Sequence, residues 1–86
     1  MLNQVILVGR VVEIESNEPR VTIRVDRPNH LNKEEDLILI KLTRGLAESS
    51  FEYIREGTTL GIKASLEVSN GIVTVVADKL TFINTK

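Results

Sequence analysis

Residues 37–68, LILIKLTRGLAESSFEYIREGTTLGIKASLEV, change their hydrophobic period twice, and that double change decides the fold. Over 37–44 the side chains alternate. Ile38, Ile40 and Leu42 fall on one side and Leu37, Leu39, Lys41 and Thr43 on the other, the pattern of a strand with one face in water. Two leucines beside Lys41 are unusual on a wet face. Residues 45–57 break the alternation: Ser49-x-x-Glu52 has the form of a capping box, Phe51, Ile54 and Arg55 sit at helical spacing, and Gly57 supplies a stop. One short helix is expected there. Alternation then resumes, with Leu60, Ile62, Ala64, Leu66 and Val68 on one face and Gly61, Lys63, Ser65 and Glu67 on the other.

Strands flank this unit on both sides. Residues 2–14 form an apolar, β-branched run interrupted by Gly9, and a glycine inside a strand marks a bulge or a bend. After a turn at 15–20, Val21, Ile23 and Val25 alternate with Thr22, Arg24 and Asp26. Residues 27–36 carry a proline and seven charged or amide side chains, and read as a surface loop. Downstream, Ser69-Asn70-Gly71 predicts a hairpin turn of type I′, closed by a strand over 72–83. The order is β-β-β-α-β-β. That is the order of an all-β OB-fold, a five-stranded Greek-key barrel with one short helix between strands three and four. The 86 residues are expected to make one such domain, residues 1–86.

Composition narrows the function. Eleven Lys and Arg against twelve Asp and Glu leave a net charge of −1, so a polyanion site has to come from local segregation of charge. With no cysteine and one histidine, thiol chemistry and Cys- or His-clustered metal sites are unexpected. No Gly-x-Ser-x-Gly, phosphate-loop or His-Glu-x-x-His pattern occurs, so neither an enzyme, a cofactor, a metal nor a small-molecule substrate is expected. No apolar run approaches about 18 residues, which speaks against a membrane-spanning helix and for a cytoplasmic location.

Strand parity supplies candidate binding residues. It turns Arg24, Lys41 and Lys63 to the wet face, while Arg10 follows the Gly9 bend and Arg27 and Lys33 lie in the long loop. Together they suggest a cationic stripe, with Leu37 and Leu39 as an apolar floor. Ordinary solubility is the competing explanation for each cation. Asp26 and the Glu34-Glu35-Asp36 run border this stripe and read as solvating charges. Of the three aromatics, Phe51, Tyr53 and Phe82, the first two are two residues apart on the expected helix, so only one can pack fully.

The segments at the two ends add a resemblance. Met1-Leu-Asn-Gln-Val-Ile-Leu-Val-Gly-Arg-Val11 is similar to the start of bacterial single-stranded DNA-binding proteins, and Val75-Val-Ala-Asp-Lys-Leu-Thr-Phe82 to the end of their DNA-binding domain. Arg44-x-x-Ala47-Glu48 and Tyr53-Ile-Arg-Glu-Gly57 resemble that family between them. The resemblance implies binding of single-stranded DNA without strong sequence preference, in replication, recombination or repair. It also implies a homodimer or homotetramer formed through the first strand, residues 2–8, and a structural role for Tyr53. The binding residues would be Arg10, Arg24, Arg27, Lys33, Leu37, Leu39, Lys41 and Lys63, with His30 or Tyr53 as a further base contact. This chain departs from the family where bases stack: Leu37, Thr43 and Asn29 or His30 stand at the aromatic positions. The hairpin after strand four is expected to be short, with its turn at Ser69-Asn70-Gly71, and the family's acidic tail is not expected. The alternative is a protein-interaction or primosome-like adaptor subunit that binds nucleic acid weakly or not at all.

Overall fold

A computed structural model describes residues 3–26 and 35–83. Its first strand, β1 (Val5–Glu15), is shared between two neighbours. The half from Val5 to Arg10 pairs antiparallel with β4 (Thr59–Ser69), and the half from Arg10 to Glu15 pairs antiparallel with β2 (Arg20–Asp26). The change of partner needs the strand to bend closely over β2, and Gly9 sits at that point. A Cβ on Gly9 would lie 2.9 Å from the Arg24 carbonyl oxygen and 3.0 Å from Ile23 Cδ1. The bend expected at Gly9 is therefore a close approach of two backbones. The bulge itself lies three residues on, at Val12, where the β1–β2 register slips between Val11 and Glu13.

Antiparallel pairing continues from β2 to β3 (Glu35–Leu42). The third strand then runs parallel to β5 (Ile72–Ile83) through Ile40↔Val75, Lys41↔Val76 and Leu42↔Ala77. Antiparallel β4–β5 pairing returns the sheet to β1 and closes a barrel in the order β1-β2-β3-β5-β4. That closed five-stranded barrel, with one short helix between β3 and β4, is an OB-fold. Its core is built from the alternating residues read from the sequence: Val21, Ile23, Ile40, Leu42, Leu60, Ile62 and Ala64 are buried, joined by Val11, Ile54 and Ala77.

The helix differs from its expected form. It spans Arg44–Ser50 as α1 and tightens into a 3-10 turn over Phe51–Tyr53, so it starts several residues before the predicted cap. Strand β3 ends at Leu42, whose N–H donates to the Pro19 carbonyl (2.9 Å), and Thr43 becomes the N-cap, with the Leu46 N–H donating to its Oγ1 (3.3 Å). Ser49 lies inside the helix and donates its hydroxyl to the Leu46 carbonyl (3.2 Å), so the Ser49-x-x-Glu52 box caps nothing. Phe51 packs on the core whereas Tyr53 is 63 % exposed, which corrects the structural role expected of Tyr53. Phe82 is also exposed in part.

The β4–β5 hairpin outruns the barrel, which corrects the short hairpin expected after strand four: only its turn is short, and the paired arms run on to Ser69 and Ile72. Asn70 and Gly71 take φ of 52° and 77°, as the I′ turn requires, and pairing extends to Ser69↔Ile72. Leu66 and Val68 keep the inward phase of Leu60 and Ile62, yet no layer covers them, and both are exposed together with Val73, the partner of Val68. The Asn3 side chain ties the base of this arm to the N-terminus. Its Nδ2 donates to the Leu66 carbonyl (2.8 Å) and its Oδ1 accepts from the Leu66 N–H (2.9 Å), continuing the β1–β4 ladder with an amide side chain.

The two strand glycines give opposite expectations. Gly9→Ala forces a methyl group against backbone and is expected to destabilise the fold by about 1–3 kcal/mol. Gly61→Ala meets only ordinary contacts of 3.5–3.8 Å and restricts the unfolded chain, so it is expected to be neutral or stabilising, within about 1 kcal/mol. Urea unfolding of both variants checks the contrast; equal losses would show that the Gly9 contact does not constrain the barrel.

Candidate nucleic-acid interface

Directly paired residues on antiparallel strands share a face, with Cβ atoms about 5 Å apart. The β1–β2–β3 registers therefore place the outward side chains in rows. Arg10 faces Arg24, and Arg24 faces Leu37; Thr22 faces Leu39; Arg20 faces Lys41. Leu37 is 65 % exposed and Leu39 50 %, so the outer face carries an apolar strip between two cationic ends. From Leu37 to Lys41 the strip runs four residues, or about 13 Å of strand.

The two cationic ends differ in their surroundings. Arg20 is held by acids on the adjoining turn, with its Nη2 2.5 Å from Glu15 Oε2 and its Nη1 3.9 Å from Glu18 Oε2. At the other end Arg24 Nε lies 3.5 Å from Glu35 Oε2 across the β2–β3 ladder. Arg10 and Lys41 make no ion pair among the described residues. An open cleft of about 460 Å³, lined by Val8, Arg10, Arg24, Asp26, Glu35 and Thr59 among others, lies where β1 and β2 diverge. Two guanidinium groups on facing positions repel each other and attract any anion that can bridge them.

The site residues expected from the sequence are thus partly gathered. Arg10, Arg24, Leu37, Leu39 and Lys41 share the outer face of β1–β2–β3. Lys63 does not join them: it faces Ile6 on β1 and Lys79 on β5, beyond the β1 strand, beside a shallow groove of about 260 Å³. Arg27, Lys33, Asn29 and His30 lie outside the described residues. Thr43 is spent on the helix cap. Sequence reading missed Arg20 and Lys79, both of which have outward strand parity; what hid them was the register that sets each beside another cation.

No family model and no curated protein sequence matches the chain. Solved structures do. The mitochondrial single-stranded DNA-binding protein Rim1 of S. cerevisiae superposes with a TM-score of 0.78 at 15 % identity, covering 98 % of this chain and 97 % of that one. A small single-stranded DNA-binding protein from Mycoplasma pneumoniae gives 0.69 at 24 %, covering 100 % and 97 %. The N-terminal domain of PriB from Thermoanaerobacter tencongensis, a dimeric structure, gives 0.68 at 25 %, covering 96 % and 98 %. These matches fix the fold as that of single-stranded DNA-binding proteins over the whole chain. The resemblance of the two end segments to that family fits the same result.

Facing arginines repel each other, and the Glu35 carboxylate on Arg24 offsets only part of that repulsion. Arg10→Gln is expected to stabilise the free protein at low salt by about 0.2–1 kcal/mol, and the gain should shrink as salt screens the repulsion. Urea unfolding at two ionic strengths measures this. Destabilisation by Arg10→Gln would mean that the arginine is held by favourable contacts of its own.

Proposed function

We propose that this chain binds single-stranded DNA without strong sequence preference, on the outer face of β1–β2–β3. One observation carries the reading: the strand registers set exposed Leu37 and Leu39 between Arg10 and Arg24 at one end and Lys41 at the other. Phosphates would track the cations while bases lie on the leucines. Arg27 and Lys33 are assigned to the same path on sequence grounds, and Lys63, with Lys79 beside it, would meet a strand that continues past β1. No aromatic side chain stands on the described part of this face, so each base gains less than the about 1–3 kcal/mol that aromatic stacking supplies. Binding then leans on phosphate contacts and weakens steeply with salt, with a slope near −0.7 per contact for a single strand. Replication, recombination or repair are the settings this activity would serve.

Assembly would raise the affinity. On the side away from β4, no described strand pairs with β1 from Val5 to Gly9, and Ile6 and Val8 point outward there, exposed. Such an edge supports pairing of β1 with β1 of a second copy, giving a homodimer or homotetramer whose several weak sites hold one strand together. The same lack of aromatics favours a second reading, a protein-interaction or primosome-like adaptor subunit.

Fluorescence titration with labelled oligo-dT of about 35 nucleotides, long enough for more than one OB site, separates the two. The proposal expects saturable binding at low salt, with Arg24→Glu and Lys41→Glu each weakening it about tenfold or more without loss of folding. Absence of saturable binding at any salt would support the adaptor reading instead. Light scattering at tens of micromolar checks assembly: the expected species is a dimer or tetramer, and a strict monomer would rule it out.

A further inference from the structure

We infer that Glu35 competes with DNA phosphate for Arg24, so that the cleft between β1 and β2 is a phosphate subsite closed by its own carboxylate. The inference rests on the single-strand binding proposed above. Its basis is a pattern of like charges. Arg10 faces Arg24 in one row, and Asp26 faces Glu35 in the next, so each row alone is repulsive. The diagonal contact between Arg24 Nε and Glu35 Oε2, 3.5 Å, links the two rows and neutralises the arginine best placed to share an anion with Arg10. All of these side chains border one cleft of about 460 Å³, with Thr59 on its β4 side.

A phosphate that enters the cleft meets Arg10 first, since that guanidinium has no ion-pair partner among the described residues. To take Arg24 as well, it has to displace Glu35, which is left facing Asp26 with its counter-charge gone. Each part of that exchange opposes binding of an isolated anion. A long strand overcomes it because its other phosphates are held elsewhere on the face. Glu35 therefore lowers affinity for every anion, and a polymer held elsewhere on the face still fills the subsite where free phosphate at the same concentration does not. Its carboxylate also stands in for a solution counterion on Arg24, so fewer ions are released when DNA binds.

The test is a salt series of oligo-dT titrations on wild type, Glu35→Gln, Arg24→Gln, the Arg24→Gln/Glu35→Gln double variant, and Glu48→Gln as a control of equal charge change on α1. Glu35→Gln is expected to bind about two- to five-fold more tightly at low salt, the range of an exposed ion pair. Its plot of log K against log salt should be steeper than that of wild type, by no more than about one ion, because the solution anion that replaces Glu35 on Arg24 is released along with the cations of the DNA. Both effects should vanish in the Arg24→Gln background. Wild-type binding that Glu35→Gln leaves unchanged in affinity and slope would overturn the inference while single-strand binding stood. An equal gain in the Arg24→Gln background, or from Glu48→Gln, would overturn it too, by showing general repulsion. If no variant binds at any salt, the reading beneath it fails, and the inference with it.

Discussion

Everything in this barrel depends on one strand serving two neighbours. β1 can pair with β4 along its first half and β2 along its second only if its backbone passes within contact of Arg24, and the missing side chain at Gly9 permits that passage. Closure follows, because β4 is thereby tied to the β1–β2–β3 sheet, and the parallel β3–β5 contact completes the ring. The same crossing sets the geometry of the candidate site. It puts Arg10, the residue after the bend, opposite Arg24, and it opens the cleft where the two strands part.

Much of this was legible in the sequence because a barrel wall has a period of two. The runs Val21-Ile23 and Leu60-Ile62-Ala64 announced the core, and Asn70-Gly71 announced the only common turn that needs two positive φ angles in succession. The same rule failed at Leu66 and Val68. Their phase is right, but the barrel ends at Ala64, and periodicity cannot tell how far a sheet is covered. The helix start was misplaced for a similar reason. Thr43 and Ser49 both look like caps locally, and the choice falls to Thr43 because the ladder with β5 has its last pair at Leu42↔Ala77, which leaves the next residue to cap the helix.

The candidate site was legible as residue types and not as an arrangement. Parity put Arg24, Leu37, Leu39, Lys41 and Lys63 outside, yet the stripe imagined from them required registers that no local pattern encodes. The registers bring Arg10 to Arg24 and Lys41 to Arg20, and they send Lys63 to Lys79 across the barrel wall. They also set Glu35 diagonal to Arg24, turning an acidic residue that read as a solvating charge into part of the surface chemistry.

The central claim is that single-stranded DNA lies on the outer face of β1–β2–β3. Backbone amide NMR shifts of the labelled protein, followed during titration with unlabelled oligo-dT, test it without relying on any substitution. The account predicts the largest shifts at Arg10, Thr22, Arg24, Leu37, Leu39 and Lys41, with little change in α1. Shifts confined to α1 and the tip of the β4–β5 hairpin, or none at saturating oligonucleotide, would contradict it.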